Sequence, residues 1–124
     1  MEIQIQEHVD SENNVLKNFL YLAVYTPPGQ SLPPMDIVQK PELSRYVDNW
    51  GKPDDHAVFA VLEGKTIGAC WARCFSYAKP GYGFINPDIP ELSIAILPEQ
   101  RQKGVGTKLI RALLDKLQTK YRAV

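Results

Sequence analysis

Ile94-Ala95-Ile96-Leu97-Pro98-Glu99-Gln100-Arg101-Gln102-Lys103-Gly104-Val105-Gly106-Thr107 is the stretch on which the reading of this chain turns. The apolar run up to Leu97 predicts a buried strand, Pro98 ends it sharply, and a loop with two glycines then opens into an amphipathic helix. The first turn of a helix leaves backbone N–H groups without intrahelical acceptors and gathers partial positive charge. Glycines at 104 and 106 remove side chains that would hold a ligand's phosphates off those amides. Arg101, Lys103 and Lys108 add positive charge nearby. A glycine pair before a helix serves packing or a turn just as readily; the specific signal is the whole order of strand, proline, arginine, Gly-x-Gly and helix. Two commoner phosphate loops do not fit. A Walker loop needs Gly-Lys-Ser/Thr after a longer spacer. A dinucleotide fingerprint needs three glycines in a βαβ unit with an acidic residue ~20 positions on.

Outward from this segment, the helix it opens shows one apolar stripe, Val105, Leu109, Leu113, Leu117 and Tyr121, widened by Ile110 and Leu114. Lys108, Arg111, Lys116, Lys120 and Arg122 lie mainly on the other face. Upstream, residues 56–62 and 66–75 read as two antiparallel strands joined by a tight turn at Glu63-Gly64-Lys65. A Pro-, Gly- and Tyr-rich loop from Lys79 to Pro90 leads into the strand 91–97. Near the N-terminus, Ile3 and Ile5 alternate with glutamines as in a half-buried strand. Val15, Leu16, Phe19, Leu20, Leu22 and Ala23 then take helical spacing, with Asp10 or Ser11 as N-cap. Thr26-Pro27-Pro28-Gly29 stops that helix, and a short second one is predicted from Pro41 to just before Gly51. The order is β-α-α-β-β-β-α, an α+β fold with a mixed, mostly antiparallel sheet flanked by helices.

The chain's 124 residues make one domain, 1–124, with room for a single core. A formal net charge of zero argues against a general nucleic-acid or membrane binder. No apolar run reaches the ~20 residues a membrane helix needs. The start, Met1-Glu2-Ile3-Gln4-Ile5, has neither the basic nor the apolar part of a signal peptide, so a cytoplasmic location is expected. Cys70 and Cys74 would share one face of a strand as reduced, buried thiols. No metal site is expected, because His8 and His56 stand at no ligand spacing.

Arg101-Gln102-Lys103-Gly104-Val105-Gly106 resembles the acetyl-CoA motif of the GNAT acetyltransferases, (Gln/Arg)-x-x-Gly-x-(Gly/Ala), at every fixed position. The preceding Ile-x-x-Pro-Glu-x-Arg spacing is also typical of that family. The element order follows the family's first strand through its third helix; the specific likeness lies between about 91 and 117. The resemblance implies that amides from Gln102 through Lys103, Gly104, Val105 and Gly106 to Thr107 hold the pyrophosphate of acetyl-CoA, beside Arg101. It implies that the backbone of Ile94 and Ile96 pairs with the pantetheine arm as an added strand. The same region would polarise the thioester carbonyl through an N–H group. Glu91 corresponds to a glutamate that in many relatives takes a proton from the acceptor amine; it reads equally as a solvated carboxylate at a strand start. Tyr77, Tyr82 and Phe84, with Trp50 nearby, would line the acceptor pocket or merely cover the sheet. Asp54, Asp55 and Asp88 would attract a cationic amine or merely form turns.

The resemblance also implies what should follow. Relatives continue with a further strand, helix and closing hairpin, which often bring an Asn to the cofactor and a Tyr as general acid. The chain is therefore expected to be a C-terminally incomplete version of the fold, with its fourth strand exposed as an edge. A homodimer covering that edge is expected. The function implied is transfer of acetyl from acetyl-CoA to a primary amine by direct attack. The alternative is a catalytically weak or inactive acyl-CoA-binding module. No motif in the acceptor loops names the amine.

Overall fold

The computed structural model describes residues 3–10, 12–23, 37, 39–48, 50–51, 55–75, 89–101 and 103–118. Its elements are β1 (Gln4–Gln6), α1 (Glu12–Ala23), α2 (Pro41–Ser44), β2 (His56–Leu62), β3 (Lys65–Arg73), β4 (Glu91–Ile96) and α3 (Val105–Gln118). The order agrees with the α+β expectation. The sheet runs β1-β2-β3-β4, and every pairing among the described residues is antiparallel.

The β2–β3 hairpin closes through Glu63 and Gly64, both at positive φ (52° and 79°), with Leu62 opposite Lys65. Two left-handed residues in a two-residue loop match the right-handed twist of the strands they join, and glycine takes one of them without cost. Two residues on, the register slips: Ala60 faces Gly68 but Val61 faces Thr66. Ile67 is the extra residue of a β-bulge. The bulge turns Ile67 onto the same side as Cys70 and Ala72, against simple alternation.

Sheet and helices make three layers with a core on each side. On one side Leu16, Phe19 and Leu20 of α1 meet Phe59, Ala69, Trp71 and Ala95. On the other, Val105, Leu109, Leu113 and Leu117 of α3 meet Val58, Ala60, Ile67, Cys70 and Ala72. Spaced four apart, the four α3 residues are each at most 1% exposed. Burial of each such side chain contributes about 1.5–3 kcal/mol. Tyr121, expected to extend the stripe, lies outside the described residues.

The second helix is shorter than predicted, ending at Ser44 instead of approaching Gly51. The chain continues in tight turns, with Tyr46 N–H donating to Leu43 O and Val47 N–H to Ser44 O. Side chains of β3 bind this segment. Arg73 Nη1 donates to the carbonyl of Arg45 (2.9 Å) and Trp71 Nε1 to that of Tyr46 (3.2 Å). Those bonds anchor the turns after α2 to the sheet. Of the two thiols, only Cys74 differs from expectation. Cys70 is fully buried, whereas Cys74 lies beyond the end of β3 and is only half-buried; neither is in a disulfide. Burial pushes the Cys70 thiol up to about 12.

Candidate functional site

Strand β4 has a neighbour on one side only among the described residues, and its backbone polarity can be assigned residue by residue. Leu97 N–H donates to Ile67 O at 2.9 Å. In an antiparallel pair, residues alternate between facing the partner with both backbone groups and facing away with both. With Gly68 opposite Ile96 and Cys70 opposite Ile94, the odd-numbered residues of β4 address β3. Leu92, Ile94 and Ile96 therefore direct N–H and C=O to the open edge. Arg101 Nε donates to the outward carbonyl of Ile96 at 3.1 Å, as that polarity requires.

The chain leaves β4 through a 3₁₀ turn at Pro98–Gln100 and reaches α3 by way of Gly104, at φ +80°. Lys108 N–H donates to Gly104 O, the first bond of the helix, so the amides of Val105, Gly106 and Thr107 have no acceptor within it. Thr107 is exposed, as are Arg101, Lys103 and Lys108.

The two glycines have different surroundings. A Cβ at Gly104 would meet nothing within 4 Å, whereas one at Gly106 would meet Ile96 Cδ1 at 3.2 Å and Ile94 Cδ1 at 3.7 Å. Gly104 supplies an open, left-handed approach to the helix. Gly106 lets the first turn of α3 sit down on β4, so its missing side chain makes room for the strand. The space at the two glycines therefore differs: open at Gly104, filled by the isoleucine side chains of β4 at Gly106. Val105 is buried in the core beneath the turn.

On the opposite face, at the far end of β4, Glu91 is partly buried and its Oε2 accepts a hydrogen bond from the Tyr46 hydroxyl. Tyr46 is itself buried, with its ring edge-on to Phe75 at 5.0 Å between centroids. Arg73 stands directly opposite Glu91 in the register. Its Nε and Nη2 fork onto Asp55 Oδ1 and Oδ2 at 3.0 and 2.8 Å, and its guanidinium carbon lies 5.1 Å from the centre of the Trp50 ring. Trp50 Nε1 in turn donates to Glu12 Oε2 at 3.1 Å. Asp55 is thus half of a nearly buried ion pair, with side chains 8% and 3% exposed for Arg73 and Asp55.

The structure brings Ile94, Ile96, Arg101, Lys103, Gly104, Val105, Gly106 and Thr107 together at one end of β4 and sets Glu91 at its other end. Gln102, Tyr77, Tyr82, Phe84, Asp54 and Asp88 lie outside the described residues. Tyr46 and the Arg73–Asp55 pair were not singled out in the sequence. For Arg73 a signal existed: a lone cation in an otherwise apolar strand requires a buried partner. For Tyr46 there was none.

No helix among the described residues is long and apolar enough to cross a membrane. No curated protein matches the chain significantly. Solved structures do. Phosphinothricin acetyltransferase from Sinorhizobium meliloti, in complex with acetyl-CoA, is 21% identical with a TM-score of 0.60, the match covering 96% of this chain and 61% of that one. A GNAT family acetyltransferase from Brucella melitensis, also with acetyl-CoA, is 16% identical, TM-score 0.62, over 98% and 72%. The ribosomal-protein-alanine N-acetyltransferase of Brucella melitensis is 18% identical, TM-score 0.61, over 95% and 68%. These likenesses establish a shared fold, and the chain spans 61–72% of the length of those three. The model of the acetyltransferase (GNAT) family matches residues 22–124, which takes in β2, β3, β4 and the whole turn into α3. On that match, the chain belongs to the GNAT acetyltransferase family.

Proposed function

We propose that this chain binds acetyl-CoA along β4 and the N-terminus of α3 and transfers its acetyl group to a primary amine. The observation that carries the reading is the continuity of two surfaces. The outward backbone groups of Ile94 and Ile96 run into the open turn at Gly104 and the unpaired amides of Val105, Gly106 and Thr107. An extended pantetheine arm suits the first and a pyrophosphate the second. Arg101 and Lys103 supply exposed positive charge beside that turn. Arg101 already donates to the Ile96 carbonyl, which has a second lone pair for an amide of the arm. Acetyl-CoA complexes of the similar acetyltransferases from S. meliloti and B. melitensis support the choice of donor.

In the proposed reaction the acceptor arrives as an ammonium ion and must lose a proton before it has a lone pair. Glu91, at the opposite end of β4 from the phosphate turn, takes that proton. The amine nitrogen then attacks the thioester carbonyl carbon, the C–S bond breaks with its electron pair on sulfur, and the second nitrogen proton passes to that thiolate, so that the amide and the free CoA thiol are the products. No metal and no acyl-enzyme enters. The acceptor walls expected at Tyr77, Tyr82 and Phe84 belong to the same proposal, whereas a homodimer pairing along the open edge of β4 would compete with the pantetheine arm for Ile94 and Ile96.

The test is release of free CoA thiol from acetyl-CoA over a panel of amines, including aminoglycosides, polyamines and peptides with a free N-terminus. Turnover by the wild-type chain that falls at least about 100-fold in Glu91→Gln, with acetyl-CoA binding retained, supports the assignment. Acetyl-CoA binding without turnover on any amine contradicts transfer and leaves a binding module.

A further inference from the structure

We propose that Tyr46 is the positioning residue for Glu91: its phenol fixes the carboxylate that removes the acceptor's proton. The inference rests on the reading of Glu91 as base and adds a residue to it.

The phenol is held on several sides. Its ring lies edge-on to Phe75, its carbonyl accepts the Trp71 indole N–H, and its own N–H donates to Leu43 O. Only 6% of the residue is exposed. A hydroxyl on a ring so confined has one place to be, and its single proton is donated to Glu91 Oε2. A carboxylate swinging freely at a strand start would present either oxygen in any direction; this one is oriented.

The neighbouring cation makes the choice of a phenol informative. Directly opposite Glu91 stands Arg73, and opposite charges facing each other across two strands attract. An arginine forked onto a carboxylate favours its charged form and opposes proton uptake. Here the fork is made with Asp55, and the remaining terminal nitrogen reaches the Arg45 carbonyl. Asp55 thus occupies the arginine while a neutral donor orients Glu91, which sets geometry without adding a full positive charge. The two arrangements share one segment: the turns after α2 carry both Tyr46 and the carbonyl that Arg73 holds.

The experiment is a double-mutant cycle of Tyr46→Phe and Glu91→Gln in the full chain, with the crystal structure of Tyr46→Phe as a readout independent of turnover. Phenylalanine keeps the ring packing and deletes only the hydroxyl. The expected result is a fall of about tenfold in kcat with KM for acetyl-CoA unchanged. In the Glu91→Gln background the same substitution should change kcat less than about twofold, because there is no base left to orient. In the crystal Glu91 should leave its wild-type rotamer or spread over several. An unchanged Glu91 rotamer in Tyr46→Phe, or an equal loss in both backgrounds, overturns the proposal. Full activity in Glu91→Gln alone overturns the underlying assignment of the base, and is a separate result from either.

Discussion

A Cβ atom placed on Gly106 would come within 3.2 Å of Ile96 Cδ1, so the first turn of α3 rests directly on the last residue of β4. Gly104, two residues earlier, has open space on the corresponding side and a φ of +80°. The pair therefore separates packing from backbone conformation, and substitutions should report the difference. Gly106→Ala is expected to be tolerated, because the far end of Ile96 can yield a few tenths of an ångström. Gly106→Val should cost about 1–3 kcal/mol through overpacking. Gly104→Ala should cost about 1 kcal/mol from the left-handed backbone alone, with no steric part. Urea unfolding of the three variants checks the ranking, and acetyl-CoA affinity should fall most in Gly106→Val, where the helix is pushed off the strand.

The Arg73–Asp55 pair is the most deeply buried ionic contact among the described residues. Removing one member leaves an uncompensated charge, and breaking such a pair costs about 3–5 kcal/mol. Asp55→Ala should therefore be severely destabilised in chemical denaturation. Arg73→Met combined with Asp55→Leu should recover a large part of the loss, because neither charge is then left behind. Equal destabilisation of the single and double variants would contradict the ionic account.

Lys116 Nζ lies 2.9 Å from Glu7 Oε1 and ties α3 to the segment just after β1. The hydrogen bond and charge of Lys116 hold the Glu7 carboxyl below its ordinary value of 4.5. A carboxyl depressed in the folded state stabilises it above the unfolded value, and that contribution is lost as pH falls through the folded value. Glu7 is largely exposed, so the effect is small. The urea midpoint of the wild type should exceed that of Lys116→Gln at pH 6, with the gap closing below pH 4.5. A gap unchanged down to pH 3 would assign the effect of Lys116 to packing of its stem.

Local periodicity carried much of the fold. The four-residue spacing of Val105, Leu109, Leu113 and Leu117 made α3 readable, and the Glu63-Gly64 pair between alternating runs made the hairpin readable. What escaped was set by contacts distant in sequence. The turns after α2 are anchored by Trp71 and Arg73, whose side chains bind carbonyls 25 and 28 residues away. Asp55 read as a turn or pocket aspartate because its partner lies 18 residues on, in a strand whose register no local pattern reveals. The close approach of Gly106 to Ile96 has no local signal, because it depends on how α3 docks on β4. The bulge at Ile67 likewise broke an alternation that looked regular.

Acetyl-CoA lying along β4 and ending on the first turn of α3 would disturb the amides it touches. The measurement that tests this placement most directly is an amide-resolved NMR titration of the full 124-residue chain with acetyl-CoA. Saturable shifts are expected at the amides of Ile94, Ile96, Gly104, Val105, Gly106 and Thr107, with β1 and the Lys116 turn of α3 unmoved. A well-dispersed, folded spectrum that does not change at millimolar acetyl-CoA, or that changes only away from these amides, would contradict it.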